Sequence, residues 1–222
     1  ADRYGVPIVE DDPYGQLRYE GEHLPAVVVL DHQYRDTCGD CYSGNVIYLS
    51  TFSKILAPGL RLAWVIAPPE VIRKLVQAKQ GADLHTATFN QIVAYEVGHG
   101  GFLDRHIHLI RRVYKDRRDI MLGALDSYFP PTVDWTHPQG GLFLWATLPE
   151  QIDTAALLKE AVQRKVAFVP GSPFFPCGGG HNTMRLNFSN ATPQNIQEGI
   201  YRLGTLISER AGEKSGLLLD PH

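Results

Sequence analysis

A chain of 222 residues that is 44% hydrophobic is long enough to bury a core in one or two domains. Its 21 basic and 24 acidic residues leave a formal net charge of -3, too weak and too mixed a field to gather nucleic acid or an anionic membrane surface. No apolar run approaches a membrane span, the opening Ala1-Asp2-Arg3-Tyr4 lacks the order of a signal peptide, and three cysteines make no disulfide framework, so the expectation is a soluble cytoplasmic protein.

Ala1 to Tyr4 reads as the end of a helix capped by Gly5, and Val6-Pro7-Ile8-Val9 as the start of a strand. That strand runs into Glu10-Asp11-Asp12-Pro13-Tyr14-Gly15 and so carries acids at its C-terminal end, where open parallel sheets bind ligands. Taken alone, an acidic strand end is more often a turn. Gln16 to Asn45 reads as loop with one short apolar piece, Leu24 to Leu30. Cys38 and Cys41 form a C-x-x-C inside it; with no second pair, a plain loop insertion is favoured over a redox or zinc site, and no metal is expected.

Val46-Ile47-Tyr48-Leu49 has the β-branched composition of a buried strand and ends in Ser50-Thr51-Phe52-Ser53, followed at once by Lys54. Pro58-Gly59 forces a turn, Arg61 follows, and Leu62 to Ala67 is apolar enough for a second buried strand. A lysine, an arginine and three hydroxyls thus fall on a loop between core strands, where a scaffold can position chemistry. A lysine in such a place is ordinarily just solvated. An amine nucleophile, though, is activated beside another cation, and a phosphate dianion is held by a guanidinium fork and hydroxyls.

Helical spacing then runs from Glu70 to Lys79 and from about Gln91 to Val97, with His85, Thr86, Thr88 and Asn90 between, a pattern too loose to name a ligand. Phe102 to Tyr128 is the longest helical signal; its arginines and lysines, interleaved with Asp104, Asp116 and Asp119, read as a solvated face. After Pro130-Pro131 come a strand at Leu142 to Ala146, a helix capped by Asp153, a short strand at Val166 to Val169, another at Met184 to Phe188, and a last helix from Thr192-Pro193 to about Arg210. Arg185, set between Met184 and Leu186 on a strand, would be costly to desolvate without an anion, either a ligand or a structural ion-pair partner.

The run from Ser50 to Ala63 resembles the lysine segment of class I aminotransferases, the fold-type I enzymes that use pyridoxal 5'-phosphate. The Asp-x-x-Tyr at Asp11 and Tyr14, and the segments around Pro138 to Trp145, Val169 to Gly171 and Met184 to Ser189, are similar to the same family in the same order. The resemblance implies that Lys54 forms the Schiff base, that Thr51, Ser53 and Arg61 hold the phosphate, and that Asp11 and Tyr14 contact the ring nitrogen and ring hydroxyl. It implies that Arg185 grips the substrate carboxylate. The fold it implies is α/β: the C-terminal part of a mostly parallel large domain at 1–100, a connecting helix at 101–129, a small α+β domain at 130–210 and a flexible tail at 211–222. The implied activity is transfer of an amino group from an α-amino acid to a 2-oxo acid, in a homodimer. A pyridoxal phosphate-binding effector domain of a GntR/MocR-type transcription regulator is the alternative. The family's segments for the other face of the phosphate and ring do not occur in these residues. The expectation is therefore a C-terminal portion that is inactive alone.

Overall fold

The computed structural model describes residues 1–35 and 42–212. The Cys38/Cys41 pair and the tail from 213 onward lie outside the described residues. The chain divides into two units, Ala1–Arg111 and Arg112–His222.

In the first unit β1 (Ile8–Asp11) runs parallel to β2 (Val46–Thr51), Ile8 opposite Val46 and Asp11 opposite Leu49. β3 (Ala63–Ile66) pairs antiparallel with β2, Thr51 opposite Ala63, giving the order β1-β2-β3. A parallel pair needs a crossover, and here it contains a helix, α1 (Val27–Arg35), where the sequence reads as loop. Val27-Val28-Val29 is a poor helix former, and Pro25-Ala26 offers no side-chain cap. The missing cap comes from β1: the Glu10 carboxylate accepts from the Val27 and Val28 N–H groups at 3.0 and 3.3 Å. A contact seventeen residues away in sequence therefore supplies what local sequence lacks. Alternation along β1 then puts Asp11 on the face opposite Glu10.

The other end of this sheet is pinned by charge. Asp31 accepts from Arg35 Nε at 3.0 Å, from the Asn45 N–H at 3.2 Å and from the Tyr42 hydroxyl, while Arg35 Nη2 reaches Asp2 at 2.5 Å. Burial pushes the Asp31 carboxyl up, but the hydrogen bonds from Tyr42, Asn45 and Arg35 outweigh it and hold the group below the usual carboxylate range. Burial, together with donation to Asp31, pushes the Tyr42 phenol up to about 12. α2 (Pro69–Ala82) and α3 (Thr88–Gly98) follow, and α4 (Phe102–Tyr128) runs through the boundary between the units.

The second unit is built on an antiparallel sheet of β4 (Asp134–Trp135), β5 (Phe143–Thr147), β6 (Val169–Pro170) and β7 (Thr183–Asn187), in the order β4-β5-β7-β6. Leu144, Ala146, Met184 and Leu186 are buried, as are Leu157 and Ala161 of α5 (Thr154–Gln163) and Ile196, Ile200 and Leu203 of α6 (Pro193–Ala211). By the same alternation Phe143, Trp145 and Arg185 share the sheet's other face. Asp153 and Thr192 cap α5 and α6 as their sequence positions predict. β6 is shorter than expected because α5 ends with Lys165 in the left-handed region at φ 63° and Val166 bonded back to Ala161, which uses the first residues of the expected strand.

The basic face of α4 is less solvated than its composition suggests. Arg118 is buried and donates to the Pro138 carbonyl at 2.7 Å and to Asp119; Arg117 donates to the Ser189 carbonyl, and Arg111 Nε to the Gln16 carbonyl at 2.6 Å. Among the described residues no helix is long and apolar enough to cross a membrane.

The Tyr42–Asp31 contact yields a pH prediction. The fold favours the neutral phenol, so the contact's contribution is complete below pH about 10, the unfolded value, and is lost as pH rises through about 12. Denaturant midpoints measured across this range should fall more steeply for the full-length wild type than for Tyr42→Phe; parallel curves would refute the assignment.

Candidate functional site

The C-terminal ends of β1 and β2 and the start of β3 meet at one end of the first sheet. Asp12 joins them. Its N–H donates to the Leu49 carbonyl at 2.8 Å, its carbonyl accepts from Ser50 Oγ at 2.8 Å, and its carboxylate accepts from the Gly15 N–H at 2.6 Å and from the Tyr48 hydroxyl at 3.1 Å. The carboxylate lies close over Gly15, and a Cβ there would stand 2.4 Å from Asp12 Oδ2 and displace it. The turn brings the Tyr14 ring to 5.9 Å from Lys54 Nζ. Lys54 is half-buried with no carboxylate partner among the described residues, and Asp11 is exposed with no side-chain bond or ion pair among them.

The hydroxyls are not equivalent. Thr51 Oγ1 donates to the Leu62 carbonyl at 2.8 Å, accepts from the Ser53 N–H at 3.1 Å and lies 2.9 Å from Ser53 Oγ. These bonds close the loop on itself and hold the two hydroxyls side by side. Arg61 lies in the left-handed region, φ 53° and ψ 41°, an arrangement that costs a residue with a side chain about 1–2 kcal/mol. Its guanidinium is exposed and contacts the Pro58 carbonyl at 3.0 Å. Asn90, in the first turn of α3, holds the Leu60 carbonyl just before it at 3.0 Å. The pattern around Asn90 is too loose in sequence to assign it a partner, because that partner lies thirty residues upstream with no motif between.

Asp11, Tyr14, Thr51, Ser53, Lys54 and Arg61 are therefore gathered at one sheet end in the first unit, and Arg185 belongs to the second. Arg185 stands opposite Trp145 on β5 and Val169 on β6. Its Cζ lies 4.2 Å from the ring centre of Phe143 and 5.0 Å from that of Phe174. Its Nε is buried without a hydrogen-bond partner, and no carboxylate among the described residues pairs with it, so the structural ion pair is not made. Among the described residues no cluster of three or more His, Cys, Asp or Glu side chains could hold a metal ion.

A parallel strand pair with an antiparallel third strand, followed by a second unit of antiparallel sheet flanked by helices, is the fold seen in solved fold-type I aminotransferases. Residues 1–203 match the model of the "Aminotransferase class I and II" family, and the chain belongs to that family. It is 50% identical over 209 residues to aromatic-amino-acid aminotransferase 1 of Thermococcus litoralis, an alignment covering 94% of this chain and 48% of the relative. It superposes with a TM-score of 0.88, at 42% identity, on the α-aminoadipate aminotransferase LysN of Thermus thermophilus, solved with N-(5'-phosphopyridoxyl)-L-leucine, covering 95% of this chain and 52% of that one. It is also 28% identical over 209 residues to the HTH-type transcriptional regulator NorG of Staphylococcus aureus, covering 94% of this chain and 44% of NorG. The chain spans about half the length of the curated relatives it matches.

Close packing around the turn that follows β6 gives a test. Gly171 donates to the Thr183 carbonyl at 2.7 Å, and a Cβ on it would stand 1.8 Å from Thr183 Oγ1. Gly171→Ala should push the Ser172–Phe174 turn away from β7 at a cost of about 1–3 kcal/mol. Urea unfolding would measure the loss, and altered Trp145 fluorescence would report the displaced ring of Phe174. An unchanged midpoint would contradict the packing described.

Proposed function

We propose that this chain carries the catalytic lysine and the carboxylate-binding arginine of a pyridoxal 5'-phosphate-dependent aminotransferase, moving an amino group from an α-amino acid to a 2-oxo acid. The observation that carries the reading is the Lys54 amine 5.9 Å from the Tyr14 ring centre, at the strand end where, among the described residues, neither Lys54 nor Asp11 has an ion-pair partner. The donor set fits the cofactor. Ser53 Oγ and Arg61 suit a phosphate dianion, with Thr51 bracing the loop between them. Asp11 suits a protonated ring nitrogen, and Tyr14 a ring hydroxyl. Bound there, pyridoxal phosphate supplies an aldehyde that captures amines and a ring that draws electron density from the substrate α-carbon.

The chain's own residues do the rest. Asp11 would pair with a protonated ring nitrogen and favour its charged form. Lys54 Nζ, on a loop fixed by Thr51 and Ser53, would hold the cofactor through its amine and, once displaced by the substrate amine, would take the proton from the substrate α-carbon. Arg185 suits the substrate carboxylate, which its guanidinium fork can hold through two parallel hydrogen bonds.

The reading includes a homodimer, since α3 leaves Phe89, Ile92 and Tyr95 exposed and a second copy would cover such an apolar surface. It places the protein in the cytoplasm, in keeping with an exposed free thiol at Cys177. The regulator reading has the similarity to NorG in its favour; the 50% identity to an aminotransferase, against 28%, favours the enzyme. A winged-helix segment encoded upstream would favour the regulator.

Arg185→Lys in the full-length protein tests the role of the arginine. An ammonium cannot reproduce the bidentate fork, so kcat/KM for the amino acid should fall by the equivalent of about 2–4 kcal/mol while cofactor uptake, followed by absorbance, is unchanged. An unaltered kcat/KM would remove Arg185 from the site.

A further inference from the structure

Arg185 is fixed in place without the partner that a guanidinium in such surroundings ordinarily has. Its Nε is buried and makes no hydrogen bond, and no carboxylate among the described residues answers its charge. What packs against it is aromatic: Phe143 at 4.2 Å and Phe174 at 5.0 Å from Cζ to ring centre. Phe143 lies two residues from Trp145, the direct cross-strand neighbour of Arg185, so the three side chains share a sheet face. Phe174 arrives from the Ser172–Phe174 turn and stands edge-on to Trp145, centroids 5.4 Å apart at 85°. The indole thus braces the ring that lies over the cation.

We propose that Phe143 and Phe174 are the positioning residues of Arg185, holding its guanidinium through ring contact where an acid or a carbonyl would otherwise hold it. The distinction has a chemical consequence. An acid would orient the arginine and also neutralise it, so that an incoming carboxylate would have to compete for the same N–H groups. A ring face attracts the cation through its quadrupole and leaves the N–H groups unclaimed. The guanidinium then stands oriented, partly dehydrated and fully charged before any ligand arrives, which is the preorganisation an anion site needs. This inference rests on the reading of Arg185 as the carboxylate group, and goes beyond it by assigning what orients that group.

Phe174 is 47% exposed on a short turn, so shortening it disturbs little of the core. In the full-length, cofactor-loaded protein, calorimetric titration with 3-phenylpropionate, a carboxylate with no amine to react, reads the site directly. Phe174→Leu should weaken binding about tenfold, and Phe174→Tyr, which keeps the ring, should stay within about twofold of wild type. In turnover with a 2-oxo acid, Phe174→Leu should raise KM with little change in kcat, and its melting temperature and cofactor absorbance should match wild type. Arg185→Leu separates the two claims. If it leaves 3-phenylpropionate binding unchanged, the carboxylate role of Arg185 fails and this inference with it. If it abolishes binding while Phe174→Leu does not weaken it, or if Phe174→Tyr falls as far as Phe174→Leu, the aromatic positioning is overturned and the carboxylate role stands. A drop in melting temperature with loss of cofactor in Phe174→Leu would make the residue structural and would equally overturn it.

Discussion

The first sheet's functional end depends on how Asp12 is bonded. Through its N–H, its carbonyl and both carboxylate oxygens it ties the end of β1 to Leu49, Ser50 and Tyr48 on β2 and to the turn at Gly15. These bonds fix the stagger between two strand ends that carry different groups, Asp11 and Tyr14 on one, Ser53 and Lys54 on the other. A parallel pair without such a tie would leave the two loops to find their own positions, and a site assembled from both needs them held closely. Asp12 is thus structural, and the adjacent Asp11 makes no side-chain bond among the described residues.

The same economy runs along β1. Glu10 faces one way and caps α1; Asp11 faces the other and has no partner among the described residues. Two consecutive carboxylates on one strand are therefore assigned opposite tasks by the period of two. In the second unit the alternation recurs: Met184 and Leu186 enter the core, and Arg185 between them is sent to the face lined by Phe143 and Trp145. The apolar neighbours in sequence do not bury the arginine. They anchor the strand that presents it.

Much of this was legible in the residues. The β-branched run before Ser50 marked β2, the spacing from Phe102 to Tyr128 marked α4, and Asp153 and Thr192 marked two helix starts, because each signal is local. The rest depends on contacts distant in sequence. α1 was hidden because its cap is Glu10, and the roles of Arg117 and Arg118 because their acceptors, the carbonyls of Ser189 and Pro138, leave no mark in composition. Thr51 reads as a ligand hydroxyl, and its bond to the Leu62 carbonyl across the loop leaves no mark in the local sequence. Arg185 was found as an arginine needing an anion; that aromatic rings hold it could not be seen without the turn that carries Phe174. Local chemistry marks candidate groups, and tertiary contacts decide which of them are already engaged.

The central claim is that Lys54 is the amine to which the cofactor is attached. Borohydride reduction of the pyridoxal phosphate-loaded, full-length protein, followed by peptide mapping, tests it most directly. A pyridoxyl group on Lys54 is the predicted result; the label on Lys74 or Lys79 instead would contradict the account.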